Sequence, residues 1–192
     1  MKKMMMIAAM MLMSIGAFAQ EAGQMFLKPM VGGTLATLTG DGVSSDNKMK
    51  FGLVAGAEFG YHVTDNIALT AGVLYSMQGS GVKNHDDSFK MDYLNIPILF
   101  NYYIVPGLAV KAGVQPGFLM RSKWGDADWK DYNKTVDFAI PLGLSYEFSD
   151  FVVDARYNLG LTNTLKDKGN MHFDGKAKNS VIMLTLGYKI PF

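Results

Sequence analysis

The three histidines are the side chains best suited to acid–base chemistry near neutral pH. His85 precedes Asp86 and Asp87, so a His–Asp dyad is conceivable, but the spacing places no activated serine beside it. His62 stands next to a predicted short turn and reads as a hydrogen-bonded rim residue. His172 lies among lysines in a long polar stretch. The sequence therefore predicts a protein that is not an enzyme.

Three aspartates, Asp126, Asp128 and Asp131, suggest a calcium loop at first sight. The EF-hand spacing fails because Lys130 stands where an oxygen ligand belongs and no glycine follows. We therefore interpret the segment as a solvated acidic loop, and we predict no metal and no cofactor. Trp124 precedes it and Trp129 lies within it, and we favour membrane-interface anchoring for both over a binding patch.

The last long polar stretch is basic, since it contains Lys166, Lys168, Lys176 and Lys178. These lysines suit anionic lipid head groups or polysaccharide phosphates, and the alternative is that they only keep the loop soluble. The chain has no cysteine, which excludes disulfides, thiolate metal sites and a lipoprotein anchor. Its formal net charge of +1 gives no reason to expect a nucleic-acid partner.

The first nineteen residues have the pattern of an export signal. Lys2 and Lys3 precede an apolar run over residues 4–16, and Ala17-Phe18-Ala19 forms an A-x-A cleavage site. The run is short for a transmembrane anchor, which is the less favoured alternative. We predict a signal peptide at 1–19 and one domain at 20–192, whose formal net charge is −1 once Lys2 and Lys3 are removed.

The C-terminal stretch SVIMLTLGYKIPF (180–192) alternates between apolar and small or polar residues, which is the period of a β-strand with two different faces. The same alternation recurs seven more times, with a proline and a Gly-Gly pair making the first strand irregular. The predicted strands cover residues 25–38, 49–63, 67–77, 88–104, 108–121, 136–148, 151–161 and 180–192.

Connections between these strands alternate in length. The turns at 64–66, 105–107 and 149–150 are short, whereas the other four connections are long and polar. Strands of about ten residues are long enough to cross a bilayer at the tilt of a barrel. An even strand number with short turns at one end is typical of outer-membrane barrels. The predicted fold is all-β, an eight-stranded antiparallel up-and-down transmembrane β-barrel.

The end of the chain strengthens this interpretation. Thr185-x-Gly187-x-x-Ile190-x-Phe192 resembles the C-terminal targeting signal of bacterial outer-membrane β-barrels. The segments GVLYSMQGSG, YLNIPILFNYY, DARYNLGLTN and LTLGYKIPF resemble the small outer-membrane β-barrel (porin-like) family, with eight strands as in OmpX and the OmpA barrel. The resemblance implies a bacterial outer-membrane location, contact with its lipid and recognition by the outer-membrane assembly machinery. It implies no common activity.

Aromatic residues decide which face meets lipid. They gather near the short turns on the apolar face, as an interfacial girdle requires and a soluble lipocalin-like barrel does not. The predicted girdle comprises Tyr61, Tyr102, Tyr146, Phe148, Phe151, Tyr188 and Phe192.

The other face then points into a lumen that side chains can just fill. Its predicted charge network comprises Lys28, Lys50, Glu58, Lys111, Arg121, Asp137, Glu147, Asp154, Arg156 and Lys189. We interpret this network as a packed polar plug, and the alternative is a narrow ion path. The function expected is a structural or surface-interaction barrel that acts through its external loops on a ligand not identified by the sequence. A narrow passive pore is second, and a lipid-modifying enzyme is a remote third.

Overall fold

The computed structural model describes residues 21–41, 47–82, 88–124, 127–130, 133–164 and 175–192. Within them the chain forms β1 (Met25–Thr39), β2 (Asn47–Thr64), β3 (Ile67–Val82), β4 (Ser88–Asn95), β5 (Ile98–Val105), β6 (Leu108–Trp124), β7 (Ala127–Asp128), β8 (Val136–Phe148), β9 (Phe151–Gly160), β10 (Lys178–Tyr188) and β11 (Ile190–Pro191). The predicted signal peptide lies outside the described residues. No helix among these residues has the length and apolar character needed to span a membrane.

Successive crossings of the barrel pair antiparallel, and the first crossing pairs with the last to close the sheet. Met30 of β1 lies opposite Gly187 of β10, and Phe26 lies opposite Pro191 of β11. β4 with β5, and β10 with β11, each complete one crossing, and the two-residue β7 pairs only with the end of β6, so eight strands form the ring. The predicted all-β, eight-stranded antiparallel barrel is confirmed. Closure removes the free edges that an open sheet would expose.

The fourth predicted strand, residues 88–104, is interrupted at Ile96 and Pro97. Proline has no backbone N–H to donate, so the ladder cannot continue through Pro97. The register nevertheless carries on, because Asn95 pairs with Gly117 and Ile98 pairs with Val114. The two pieces therefore act as a single crossing.

Side chains alternate between the two faces as the period of two requires. Along β9 the burial alternates at every residue, with Phe151, Val153 and Tyr157 exposed while Asp154 and Arg156 are buried. Large apolar residues thus lie on the outer surface and charged ones inside, which is the inverse of a soluble barrel.

The two ends of the barrel differ. Tight turns at residues 65–66, 106–107 and 149–150 define the short-turn end. Ser149 adopts a φ of 53° and Gly107 a φ of 84°, which lets the chain reverse in two residues. Both ends of the described chain lie here too, since Gly23 N donates to the His62 carbonyl and Phe192 N donates to the Met25 carbonyl. The opposite, loop end carries the long connections.

Candidate functional site

Five buried charged side chains from four strands meet in the middle of the lumen. We call Lys28, Glu58, Lys111, Asp154 and Arg156 the central charge cluster. The Arg156 guanidinium contacts Glu58 Oε1 at 2.5 Å through Nη1 and Asp154 Oδ1 at 2.6 Å through Nε. Lys111 Nζ lies 2.6 Å from Asp154 Oδ2, and Lys28 Nζ lies 2.8 Å from Glu58 Oε2. Half of the predicted charge network is thus brought together.

The cluster holds three cations and two carboxylates, so its formal charge is +1. All five residues are at most 7% exposed, and Glu58 and Asp154 are fully enclosed. A buried charge is tolerated only when partners replace its lost hydration. Glu58 is shared between two cations and Asp154 among three, which spreads that compensation over the whole group.

Glycines on neighbouring strands make the space for these long side chains. A Cβ on Gly72 would lie 2.6 Å from Glu58 Cγ, and one on Gly143 would lie 2.9 Å from Arg156 Cγ. Gly187 plays the same part for Lys28, whose Cγ would be 2.9 Å away. Each of these three lumen glycines thus leaves room for one particular long side chain.

A second polar group occupies the short-turn end of the lumen. Lys189 Nζ lies 2.8 Å from Glu147 Oε2, and the Tyr103 hydroxyl donates to Glu147 Oε1 at 2.7 Å. The His62 ring lies between the Phe26 and Tyr103 rings, at 5.4 and 5.5 Å between centroids. Its Nε2 is 3.3 Å from Lys189 Nζ. His62 is therefore fully buried inside the rim, in agreement with its predicted position.

Three predicted members of the network lie apart from the cluster. Lys50, near the loop end, is half-buried and its Nζ donates to the carbonyls of Gln78 and Phe89 at 3.3 Å. Asp137 accepts hydrogen bonds from Asn179 Nδ2 at 2.7 Å and from the Thr162 hydroxyl, and no salt bridge to it is seen among the described residues.

Arg121 was predicted to lie in the lumen, and this prediction is wrong because the side chain is exposed on the outer surface. The register between β4 and β6 shifts at this point: Tyr93 faces Leu119, but Asp92 faces Arg121. The extra residue, Met120, forms a β-bulge that reverses the alternation of inward and outward side chains. Parity alone placed Arg121 in the lumen, and a bulge cannot be read from parity.

Apolar layers also fill the lumen, which sequence reasoning missed. Next to the central charge cluster lie four buried apolar side chains, and a second group lies near the loop end. The layers consist of Met30, Val54, Leu74 and Met183, and of Phe89, Met91, Tyr93 and Leu119. The predicted polar plug therefore accounts for only part of the side chains that fill the lumen. The signal was available, because Val54, Leu74 and Met183 occupy inward positions of their strands.

Both tryptophans lie near the apolar layer at the loop end. Trp129 is half-buried and packs against the apolar group that contains Phe89. The Trp124 ring lies 5.9 Å from the Phe89 ring. Interface anchoring on the lipid side was thus the wrong interpretation of Trp129, because its contacts are to the apolar layer.

Between the two apolar layers lies a small polar cavity of about 10 Å³. Such a space admits about one water-sized molecule. Its lining includes Gln78, Asn95, Gln115, Asp137, Asn158 and Asn179.

The predicted aromatic girdle lies on the outer surface at the short-turn end. Phe148 stacks on Phe151 at 5.7 Å, and Phe151 meets Tyr188 edge-on at 5.3 Å. Phe192 contacts Phe59, which the prediction omitted, at 6.0 Å. The remaining members, Tyr61, Tyr102 and Tyr146, are exposed or half-buried at the same end.

The C-terminal pattern divides between the two faces. Gly187 is buried against Lys28, whereas Ile190 and Phe192 are exposed, Phe192 at 69%.

His85, His172, Asp126 and Asp131 lie outside the described residues. Within the described part of the chain, no group of three His, Asp or Glu side chains is placed to hold a metal ion.

Comparisons with known structures support the fold. The barrel matches Neisserial surface protein A at a TM-score of 0.57 and 12% identity, covering 86% of this chain and 97% of that one. It matches Ail of Yersinia pestis, in complex with the heparin analogue sucrose octasulfate, at a TM-score of 0.52 and 16% identity, covering 88% of this chain and 99% of that one. It matches the outer membrane protein AlkL in lipid bilayers at a TM-score of 0.51 and 13% identity, covering 92% of this chain and 93% of that one.

Sequence comparison gives the family. No curated protein matches the chain at a significant level. The sequence profile described as "Outer membrane protein beta-barrel domain" matches residues 18–166, which is more than half of the chain. The family implies the bacterial outer membrane, and the closed ring with its apolar exterior and charged interior fits that location. The chain therefore belongs to the outer membrane protein β-barrel domain family.

Proposed function

We propose that this protein is a closed, non-conducting barrel that holds its four loop-end connections at the cell surface for interaction with an external ligand. The observation that carries the proposal is the filling of the lumen at successive levels. The central charge cluster, the apolar layers and the Lys189–Glu147 pair all consist of side chains that are buried or nearly so.

The filled lumen favours this role over a pore. An ion crossing the barrel would have to displace Arg156, whose three contacts to carboxylates are 2.5–2.7 Å long. Charge-assisted hydrogen bonds of this length are among the strongest in proteins. The ion would also have to pass the apolar layers, where no polar group replaces its hydration shell.

Planar-bilayer conductance tests the proposal. The wild-type chain should give no steady current. The double variant Arg156→Ala/Lys28→Ala removes bulk and two cations from the same level and should pass a small current. Leu142→Ala, on the outer surface, is the matched control and should remain silent. A reproducible, salt-dependent channel in the wild-type protein would refute the closed barrel and favour the narrow pore.

We also propose how the chain reaches the membrane. Residues 1–19 direct export, and the exposed Ile190 and Phe192 are read by the outer-membrane assembly machinery. Phe192→Ala should slow insertion catalysed by that machinery while leaving unassisted folding into lipid vesicles unchanged. Equal effects on both rates would show that Phe192 acts through barrel stability alone.

We propose no catalytic role. The one histidine among the described residues, His62, is enclosed by aromatic rings, which leaves it no access to a substrate. Hydrolysis of outer-membrane lipid by the purified protein, lost on His62→Gln, would contradict this.

A further inference from the structure

A group of cations lies on the outer surface of the barrel near the loop end. Lys90 of β4 and Lys123 of β6 are directly opposite each other, and Arg121 lies one outward position closer to the membrane. Lys90 and Arg121 are exposed and Lys123 is half-buried. We call these three residues the outer basic cluster.

Its height on the barrel corresponds to the lipid head groups. The outward side chains of β6 below it are apolar, from Leu108 at the short-turn end to Phe118 and Met120. Ten residues of strand at the tilt of such barrels span about 25 Å, which matches the apolar band of outer-membrane barrels. Arg121 and Lys123 therefore lie just beyond the hydrocarbon region.

Positive charge is in excess in this cluster. Like charges directly opposite on neighbouring strands destabilise a sheet, and Lys90 and Lys123 are such a pair. No salt bridge to Lys90, Arg121 or Lys123 is found among the side chains that the structure describes, and that of Asp128 is not one of them. Asp92, opposite Arg121, is 7% exposed and accepts the Tyr75 hydroxyl at 2.9 Å. Asp128 is the other cross-strand neighbour of Lys123, so the local formal charge with both aspartates counted is +1.

The β-bulge at Met120 is what brings the guanidinium to this surface. In a regular ladder without the bulge, Arg121 and Lys123 would both point into the lumen, and only Lys90 would remain on the outer surface. Bulges near the rim of a barrel commonly re-aim a side chain at a functional position. Here the re-aimed side chain is the one best able to bind phosphate through two parallel hydrogen bonds.

Exposed charge elsewhere on the barrel agrees with this polarity. At the short-turn end Asp65 and Glu21 are exposed, and Asp150 in the turn before β9 is half-buried. We propose that Lys90, Arg121 and Lys123 bind the phosphates of a phosphorylated glycolipid in the outer leaflet. Cations in two rows on two strands suit a head group that carries more than one phosphate.

The test measures glycolipid affinity by native mass spectrometry of the full mature chain in detergent micelles. The probe is lipid A carrying two phosphates, and the same glycolipid without phosphates is the comparison. Lys90→Gln/Arg121→Gln should weaken binding about ten- to thirtyfold, as expected for two cations near a charged lipid surface. Lys90→Arg/Arg121→Lys, which keeps both charges, should retain most of the affinity.

The matched control is Lys48→Gln/Lys134→Gln, which removes one exposed lysine of β2 and one that lies just before β8. It should change the affinity less than twofold. Equal loss in both double variants would show diffuse attraction and overturn the site. Binding that ignores the phosphates would also overturn it. Equal affinity for phosphatidylglycerol would refute the choice of a glycolipid.

Discussion

Because the central charge cluster has a net positive charge, losing a carboxylate should destabilise the barrel more than losing a cation. With three cations and two carboxylates, removing Glu58 raises the formal charge from +1 to +2, whereas removing Arg156 lowers it to zero. After Glu58→Gln, Lys28 loses its partner at 2.8 Å and keeps only Asp154 at 3.6 Å. Arg156 loses its contact to Glu58 Oε1 as well. Breaking such a buried pair costs about 3–5 kcal/mol.

Arg156→Met should cost less, although the side chain makes three contacts of 2.5–2.7 Å. Glu58 keeps Lys28 and Asp154 keeps Lys111, so no carboxylate is left without a cation. We expect about 1–3 kcal/mol, the range for lost hydrogen bonds to charged groups.

Equilibrium unfolding in urea, with the protein reconstituted in lipid vesicles, gives both free energies. Glu147→Gln is the control, because its single pair with Lys189 is 11% exposed and should cost less than Glu58→Gln. If Arg156→Met destabilises the barrel as much as Glu58→Gln, the charge-imbalance reasoning is wrong.

Three further outcomes are expected. Leu142→Arg places a charge at an outward position that is 48% exposed and should cost about 2–4 kcal/mol in the same urea assay; a harmless result would contradict the lipid-facing assignment. Gly60→Ala would bring a Cβ to 2.1 Å from the Phe26 ring, so we expect about 1–3 kcal/mol of destabilisation and a changed near-UV circular dichroism signal; unchanged stability and spectrum would show that this packing is loose. Protease added to intact cells should cut within 122–133 or 162–178 and spare the turn at 149–150; cleavage at that turn would reverse the topology.

Most of the fold was predictable from two patterns. The alternation of apolar and polar residues along a strand shows which face each residue occupies, and the alternating lengths of the connections give the order of the strands around the ring. Five members of the lumen network were found in this way and lie within one cluster. Alternation fails where one strand has an extra residue relative to its partner, as β6 does at Met120. Arg121 was placed on the wrong face for that reason.

Contacts across the lumen were beyond the sequence pattern. Alternation identifies Lys50 and Asp137 as inward, but it does not give their height relative to Glu58 or Asp154, which depends on how the strands are staggered. The apolar layers obey the same alternation, because Val54 and Leu74 occupy inward positions of their strands, but no charge distinguishes them from outward apolar residues.

The pairing of the first strand with the last has a consequence for the order of folding. Met30 and Gly187 stand near opposite ends of the chain, so this contact carries the largest loop-closure cost in the sheet and should form late. Lys28 belongs to the same strand, and it reaches both Glu58 and Asp154. Until β1 and β10 meet, β9 brings two charges into a half-formed barrel without their full set of partners. A partly closed barrel is thus penalised within the bilayer, which makes insertion and closure a single cooperative event.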